Sequence, residues 1–472
     1  MEGHPPSMAA FVVSMIPLMH IFEEQMAGIR TPNGKTHRIK SFADDLKLFI
    51  KDPIEITKIY DVISKFENIS GLEMHRDPSI NKCQALPFGR HRDHQGWPAW
   101  ITVQSTMKVV GGMFSNFETL EKINSDLVQK CFFDALNKAY GIRGTVFQKA
   151  YFVNTYLFSK IWFTSQFISL DEQILNKILS KAIEFIYAGE NEKPIRPLNF
   201  RSKSKGGLGL IHPVIKAKAF LVKHMNKEFV DINSDAQCID INYYNRVNMI
   251  YGCKELFDKV SEKGLGNESV KDIYEFLIQD ITHRNQSLIP SRNERRSLNV
   301  KWGLVFENFK LVNGLTADEK CFAWKVTQDM LPVGSRIHRN NVDKRCLNLL
   351  SNGDYCQTIP DLEHTFRNCP SVVECYETII LVLNRYLSRF VNYGDLIHLS
   401  FNHRKKSRLG CGIWFAIKMM FDIFQNRCLN KSQLLKNRFK DIDWNINWNM
   451  NIGSHSEMIE LKELIKVLVT NW

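Results

Sequence analysis

Apolar positions change their period several times along the chain, and the changes mark out its regions. Ala9 to Met26 carries apolar residues at helical spacing, which predicts a helix. Arg38 to Ile50 alternates instead, with Leu46, Leu48 and Ile50 on one face of a predicted strand. Helical period returns from Ile54 to Ile69, where Ile59, Ile63 and Phe66 are spaced for burial. Two more short strand segments are predicted around Cys83–Phe88 and Thr106–Phe114. Mixed signals of this kind predict an α+β region over residues 1–115.

From Leu120 to Ala188 the pattern is helical almost throughout, and Ile174, Ile178, Ala182, Ile183 and Ile186 form one apolar stripe. Lys193 to Pro213 interrupts it with Pro, Gly and a run of Arg and Lys, a basic loop leading into a helix at Val214–Met225. Residues 116–228 therefore form a second, helical region. Residues 229–298 are polar and weakly periodic, a linker or small helical insert. A third region, 299–375, opens near Trp302 and holds a Cys/His cluster. The last, 376–472, is helical again and ends with Ile459, Leu461, Leu464, Ile465 and Leu468 on one predicted face.

Composition narrows the class. Hydrophobic residues make up 44% of the 472 positions and charged ones 24%, the balance of a globular chain rather than a disordered one. The net charge of +12 favours an anionic partner, nucleic acid being the commonest, although a basic surface kept for solubility fits the charge equally. Eleven cysteines, an odd number without the spacing of a disulfide framework, suggest free thiols or a metal site in a reducing compartment. The apolar run Met8 to Phe22 lacks a basic flank before it, contains Pro17 and His20, and is too short to span a bilayer. The expected location is accordingly nuclear or cytoplasmic, with no secretion and no membrane partner.

Asp44 and Asp45 form the first chemical feature. A strand up to Ala43 and another from Leu46 leave both acids at a hairpin tip, where two carboxylates can reach one site. Hard oxygen donors suit Mg²⁺ or Mn²⁺, and two such ions can clamp an in-line phosphoryl transfer. Taken alone, the pair also fits a solvated Asp-Asp turn.

The companions of that pair come in a fixed order. Gly3-His4-Pro5-Pro6-Ser7-Met8 precedes the first helix, Phe42-Ala43-Asp44-Asp45 follows it, then Ser70-Gly71-Leu72, Asn81-Lys82-Cys83 and Lys108-Val109-Val110-Gly111. This series resembles the palm of non-long-terminal-repeat (LINE-type) retrotransposon reverse transcriptases. The resemblance implies a partial right-hand polymerase palm followed by a helical thumb and a mostly helical C-terminal region with a zinc knuckle. It implies RNA-directed DNA polymerase activity on an RNA template, a DNA primer or target DNA, and deoxynucleoside triphosphates. Gly3, Pro5 and Ser7 match the loop that shapes the nucleotide pocket; Phe42 and Ala43 match the hairpin whose Asp44 and Asp45 hold Mg²⁺. Lys82 matches a lysine that protonates the departing pyrophosphate, although residues 76–80 look like an insertion before it, and a solvated surface lysine fits as well. Lys108 and Gly111 match the hairpin that grips the primer.

The same resemblance extends to the basic loop, where Arg201, Lys203 and Lys205 before Gly206-Gly207-Leu208-Gly209-Leu210 resemble the family's Lys-x-Gly-Gly-Leu-Gly stretch and would be phosphate contacts. A solvated turn capping a helix is the alternative there. Cys356, His364 and Cys369 have the spacing Cys-x₇-His-x₄-Cys, similar to the family's knuckle, and nine residues separate Cys346 from Cys356. Such a set can close a tetrahedral Zn²⁺ site, the alternative being buried thiols beside a hydrogen-bonded histidine.

The departure from the pattern is the missing third acid. Family palms carry a further metal-binding Asp upstream of the Gly-x-Pro-x-Ser loop, and no Asp precedes Asp44 here. The fingers over the incoming nucleotide also lie upstream in the family. The expectation is that these 472 residues do not polymerise DNA by themselves. Two other readings stand beside the first: a non-catalytic nucleic-acid-binding protein derived from such an element, and a group II intron maturase.

Overall fold

A computed structural model describes residues 5–31, 35–42, 45–77, 82–109, 111–188, 196–234, 258–260, 262–264, 268–286, 302–312, 315–334, 345–346, 348, 350, 354–425 and 455–470. The helices are α1 (Pro5–Gln25), α2 (Glu55–Ser70), α3 (Leu120–Ala139), α4 (Val146–Phe152), α5 (Ser159–Trp162), α6 (Glu172–Ile186), α7 (Arg196–Phe200) and α8 (Pro213–Ser234). They continue with α9 (Val270–Gln286), α10 (Trp302–Leu311), α11 (Ala317–Thr327), α12 (Val373–Leu387), α13 (Tyr393–His398), α14 (Lys406–Gln425) and α15 (His455–Thr470). Short strands complete a mixed helix-and-strand fold: β1 (Ile29–Arg30), β2 (Thr36–His37), β3 (Ile39–Phe42), β4 (Asp45–Leu48), β5 (Gln84–Ala85), β6 (Thr102–Val103), β7 (Thr106–Val109) and β8 (Gly112–Ser115). They pair two by two, β5 with β6 in parallel and the other pairs antiparallel.

The chain forms two compact units, and each draws on segments far apart in sequence. The first comprises residues 1–134, 160–176 and 214–274; the second comprises 135–159, 177–213 and 275–472.

In the first unit, α1 and α2 back the β3–β4 hairpin. Leu18 and Phe22 of α1 and Met26 just after it meet Ile39 of β3 and Ile59 and Ile63 of α2 in one apolar cluster, with Leu46, Leu48, Ile50 and Phe66 packed on it. The predicted strand face is thus the covered one, as alternation requires. Helix α1 begins at Pro5, four residues before the predicted start at Ala9. A first-turn proline has no N–H to lose there and brings a helical φ, so Pro5 and Pro6 open the helix rather than a preceding loop. Helix α2 ends at Gly71, which takes φ +71° and donates its N–H to Glu67 at 2.9 Å.

The predicted strand at Thr106–Phe114 is a hairpin, β7 and β8, with Val109 opposite Gly112. Gly111 has φ +84°, and a Cβ there would lie 2.6 Å from the Phe163 ring, so this position demands glycine for packing as well as backbone reasons. Asn124 of α3, fully buried, anchors the hairpin: its Oδ1 accepts from Met113 N–H at 2.8 Å and its Nδ2 donates to Met113 C=O at 2.7 Å.

The second unit has a large helical core. Phe322 and Val326 of α11, Ile379, Leu383 and Tyr386 of α12, Ile413, Phe415 and Met420 of α14, and Leu461 and Ile465 of α15 are buried together. Thr316 caps α11 through a reciprocal pair of bonds with Glu319, whose other oxygen accepts from Lys418 Nζ at 2.5 Å. Among the described side chains of α15 the sequence pattern misplaces Ile459, which is exposed, while Met458, Leu461 and Ile465 make the buried face; the Leu468 side chain lies outside the described residues. Along α6 the stripe is centred on Leu175, Ile178, Leu179, Ala182, Phe185 and Ile186, with Ile174 and Ile183 half-buried at its edges.

Candidate metal centre and acidic hairpin

The β3–β4 hairpin has the register Ile39 opposite Leu48 and Phe42 opposite Asp45. Asp45 therefore opens the returning strand and is exposed, while Ala43 and Asp44 lie outside the described residues, as does Gly3. Lys47, two residues on and so on the same strand face, places its Nζ 3.2 Å from Asp45 Oδ2. Such an exposed pair contributes about 0–1 kcal/mol and leaves the carboxylate open to competition from a cation. Lys82 is exposed ahead of β5, and Lys108 is exposed on β7 opposite Met113. Pro5 and Ser7 sit in the first turn of α1.

The basic loop departs from the sequence expectation. Arg196–Phe200 is helical, Lys203–Lys205 forms one tight turn, and Gly206 and Gly209 take φ +74° and +70°. The backbone N–H groups of Gly207, Leu208, Gly209 and Leu210 donate to Ser202, Leu198, Arg201 and Asn199 at 2.8–3.2 Å. They are consumed internally and are not aimed at a phosphate. Asn154 adds a bond to Gly209 C=O and one from Ile211 N–H, each 2.9 Å, and the Trp324 indole donates to Gly206 C=O at 2.8 Å. Gly206 to Leu210 are thus the packed half of the loop, and Ser202 to Lys205 its exposed half. Arg201 lies inside the loop at 8% exposure. Lys203 and Lys205 remain exposed.

The Cys/His cluster is brought together. Cys346 N–H donates to Thr358 C=O at 2.8 Å, Cys356 N–H to Asn348 C=O at 2.9 Å, and Leu350 N–H to Asp354 C=O at 2.8 Å. These bonds join Cys346, Asn348 and Leu350 on one arm to Thr358, Cys356 and Asp354 on the other, and set Cys346 and Cys356 on facing arms. Asp361 supports the second pair of ligands: its Oδ1 accepts from His364 N–H at 2.7 Å. The turn that follows is wide, closed by Cys369 N–H donating to His364 C=O at 2.9 Å, five residues back. An ordinary α-helical turn would carry positions five apart to different faces; the wide one returns Cys369 to the side of His364.

Cys346, Cys356, His364 and Cys369 are all buried, and one donor atom from each lies within 4.8 Å of every other. Cys346 Sγ is 3.8 Å from Cys369 Sγ, and Cys356 Sγ is 3.5 Å from His364 Nε2. A tetrahedral zinc with Zn–S and Zn–N lengths of about 2.3 and 2.0–2.1 Å requires edges of about 3.8 and 3.6 Å. The set could hold a metal such as zinc. Around it, Asn348 Nδ2 donates to Cys369 Sγ at 3.1 Å, and Ser371 Oγ lies 3.3 Å from the same sulfur. The Cys346 thiol, then Asn348 and Ser371, hold the Cys369 thiol well below its ordinary value against the opposing effect of burial. The Cys346 thiol is pushed up by its bond with Cys369 and by burial.

Asn348 escaped the sequence reading, although its place two residues after Cys346 puts both on one face of an extended arm. Trp324 and Asn154 escaped it too, and nothing local marks either one. Among the described residues this is the one group of three or more Cys, His or carboxylate donors close enough for an ion, and none of their helices is long and apolar enough to cross a membrane. No family model matches the chain, and no curated protein matches it.

Proposed function

We propose that the chain carries the C-terminal part of a LINE-type retrotransposon reverse transcriptase, acting on RNA template and DNA primer or target. The reading is supported chiefly by the succession helix α1, acidic hairpin β3–β4, helix α2 and second hairpin β7–β8, in which each element carries the motif residues in the order the resemblance requires. Asp44 and Asp45 would hold Mg²⁺ or Mn²⁺, which when bound activates the attacking 3′-oxygen and stabilises the leaving pyrophosphate. Lys108, exposed on β7, would meet primer phosphate, and Lys203 and Lys205 would add basic contacts on the second unit. Zn²⁺ at Cys346, Cys356, His364 and Cys369 would be structural, since four protein donors leave no open coordination position.

The absence of any Asp before Asp44 within these residues favours nucleic-acid binding without polymerisation as their activity in isolation. The test pairs a binding titration on an RNA–DNA hybrid with primer extension on an RNA template in Mg²⁺ or Mn²⁺. Salt-sensitive hybrid binding without incorporation is the expected result. Failure to bind any nucleic acid at low salt would overturn the family reading, and robust incorporation would overturn the inactivity of the isolated chain.

A further inference from the structure

The segment between β5 and α3 places exposed aromatic rings beside guanidinium groups on the first unit. Asn116 is buried, and its Nδ2 donates to Pro87 C=O at 3.1 Å, so two distant turns are joined there. The residues that follow each partner, Phe88 and Phe117, leave 51% and 69% of their surfaces in solvent. Phe117 is further held by its chain: Ser115 Oγ accepts from the N–H groups of Phe117 and Glu118, both at 3.1 Å.

The charge around these rings is mostly positive. After Phe88 the chain makes a tight turn, Gly89–His91, and Arg92 brings its Cζ to 5.4 Å from the centre of the Phe117 ring. Arg90 and Arg92 are exposed. Of the neighbouring acids, Glu118 is paired with Lys122 at 3.5 Å, and Asp93 is exposed beside Arg92. Exposed rings near in sequence to exposed guanidinium groups, one of them over the Phe117 ring, match a single-stranded nucleic acid, which offers a π-face and a phosphate at every residue. Ser115, the last residue of β8, lies about 13 Å along the strand from Gly111, and Phe117 follows it by two residues.

We infer that Phe88 and Phe117, with Arg90 and Arg92, form a stacking platform for single-stranded RNA or DNA that continues the strand lying on the β7–β8 hairpin. The inference rests on the nucleic-acid reading above and adds a specific subsite to it. Bases stack on the two rings, and the guanidinium groups contact phosphates. Preference falls on single strands, because paired bases in a duplex cannot offer their faces.

The experiment is fluorescence anisotropy of the full chain with a labelled uridine homopolymer of about 20 nucleotides. Wild type is compared with Phe88→Ala/Phe117→Ala and with Phe88→Tyr/Phe117→Trp; a blunt duplex serves as the second probe. Both rings are exposed, so circular dichroism and Tm are expected to stay at wild-type values. The alanine pair is expected to weaken single-strand affinity about tenfold or more with an unchanged salt slope, while duplex affinity stays the same. The Tyr/Trp pair restores it. Arg90→Gln/Arg92→Gln is expected to lower the salt slope by about 0.7 per lost contact. Wild-type affinity in the alanine pair, with nucleic-acid binding intact, would overturn the platform while leaving the family reading standing. A change of oligomeric state in that pair without a change in affinity would instead assign the rings to a second copy of the chain and would also overturn it. If wild type binds neither probe, both readings fall together.

Discussion

Asn348 donates its side-chain amide to Cys369 Sγ at 3.1 Å, while its backbone carbonyl accepts from Cys356 N–H at 2.9 Å. One buried residue that is not itself a metal donor thus orients two of the four donors. Partners of this kind fix ligand geometry and tune the charge on the coordinating sulfur. Asn348→Leu keeps the branched shape and the backbone bond, with a somewhat larger side chain, and removes the amide. Zinc affinity, measured by competition with a chromophoric chelator, is expected to fall about 10–100-fold with the fold retained. Unchanged affinity would show that the amide has no part in holding metal.

The cluster predicts one bound zinc per chain. Removal with a strong chelator is expected to lower Tm and to expose Cys346, Cys356 and Cys369 to thiol reagents. Cys411 stays protected, because it is fully buried and burial pushes its thiol up to about 11. Cys369→Ser is expected to reproduce the loss without chelator. A purified protein that contains no zinc, with a Tm indifferent to chelation, would reject the site.

Loop 201–210 predicts a separation of stability from binding. Lys203→Gln/Lys205→Gln alters exposed cations and is expected to weaken hybrid affinity and lower the salt slope by about one per lost phosphate contact, with Tm unchanged. Arg201→Gln alters a buried side chain and is expected to lower Tm. Thermal melts beside salt-dependent titrations decide it; a stable Arg201 variant with the larger binding defect would contradict the assignment.

Gly207 is the tightest point of the same loop. A Cβ there would lie 2.1 Å from Arg201 O and 2.4 Å from its Cβ, and backbone cannot yield cheaply. Gly207→Ala is expected to destabilise by about 1–3 kcal/mol in urea melts. Trp324→Phe leaves the Gly206 carbonyl without its indole donor and is expected to cost about 1–3 kcal/mol by the same assay. Melts indistinguishable from wild type would show that the loop relaxes freely.

The sequence by itself determined the periodic elements and the inventory of reactive groups. Leu46 and Leu48 sit on a covered hairpin face, and Ile59 and Ile63 are buried on α2, because side-chain period follows directly from local backbone geometry. The Cys/His group was legible because few residue types can ligate zinc and four of them fell within one short region. Tertiary structure decided the rest. Burial of Arg201, the internal use of the Gly-Gly-Leu-Gly amides and the roles of Trp324 and Asn348 depend on partners that no local pattern names. Hydrogen bonds between residues as far apart as Gly206 and Trp324 form only after the intervening chain has packed, so the spacing of either residue carries no trace of the other.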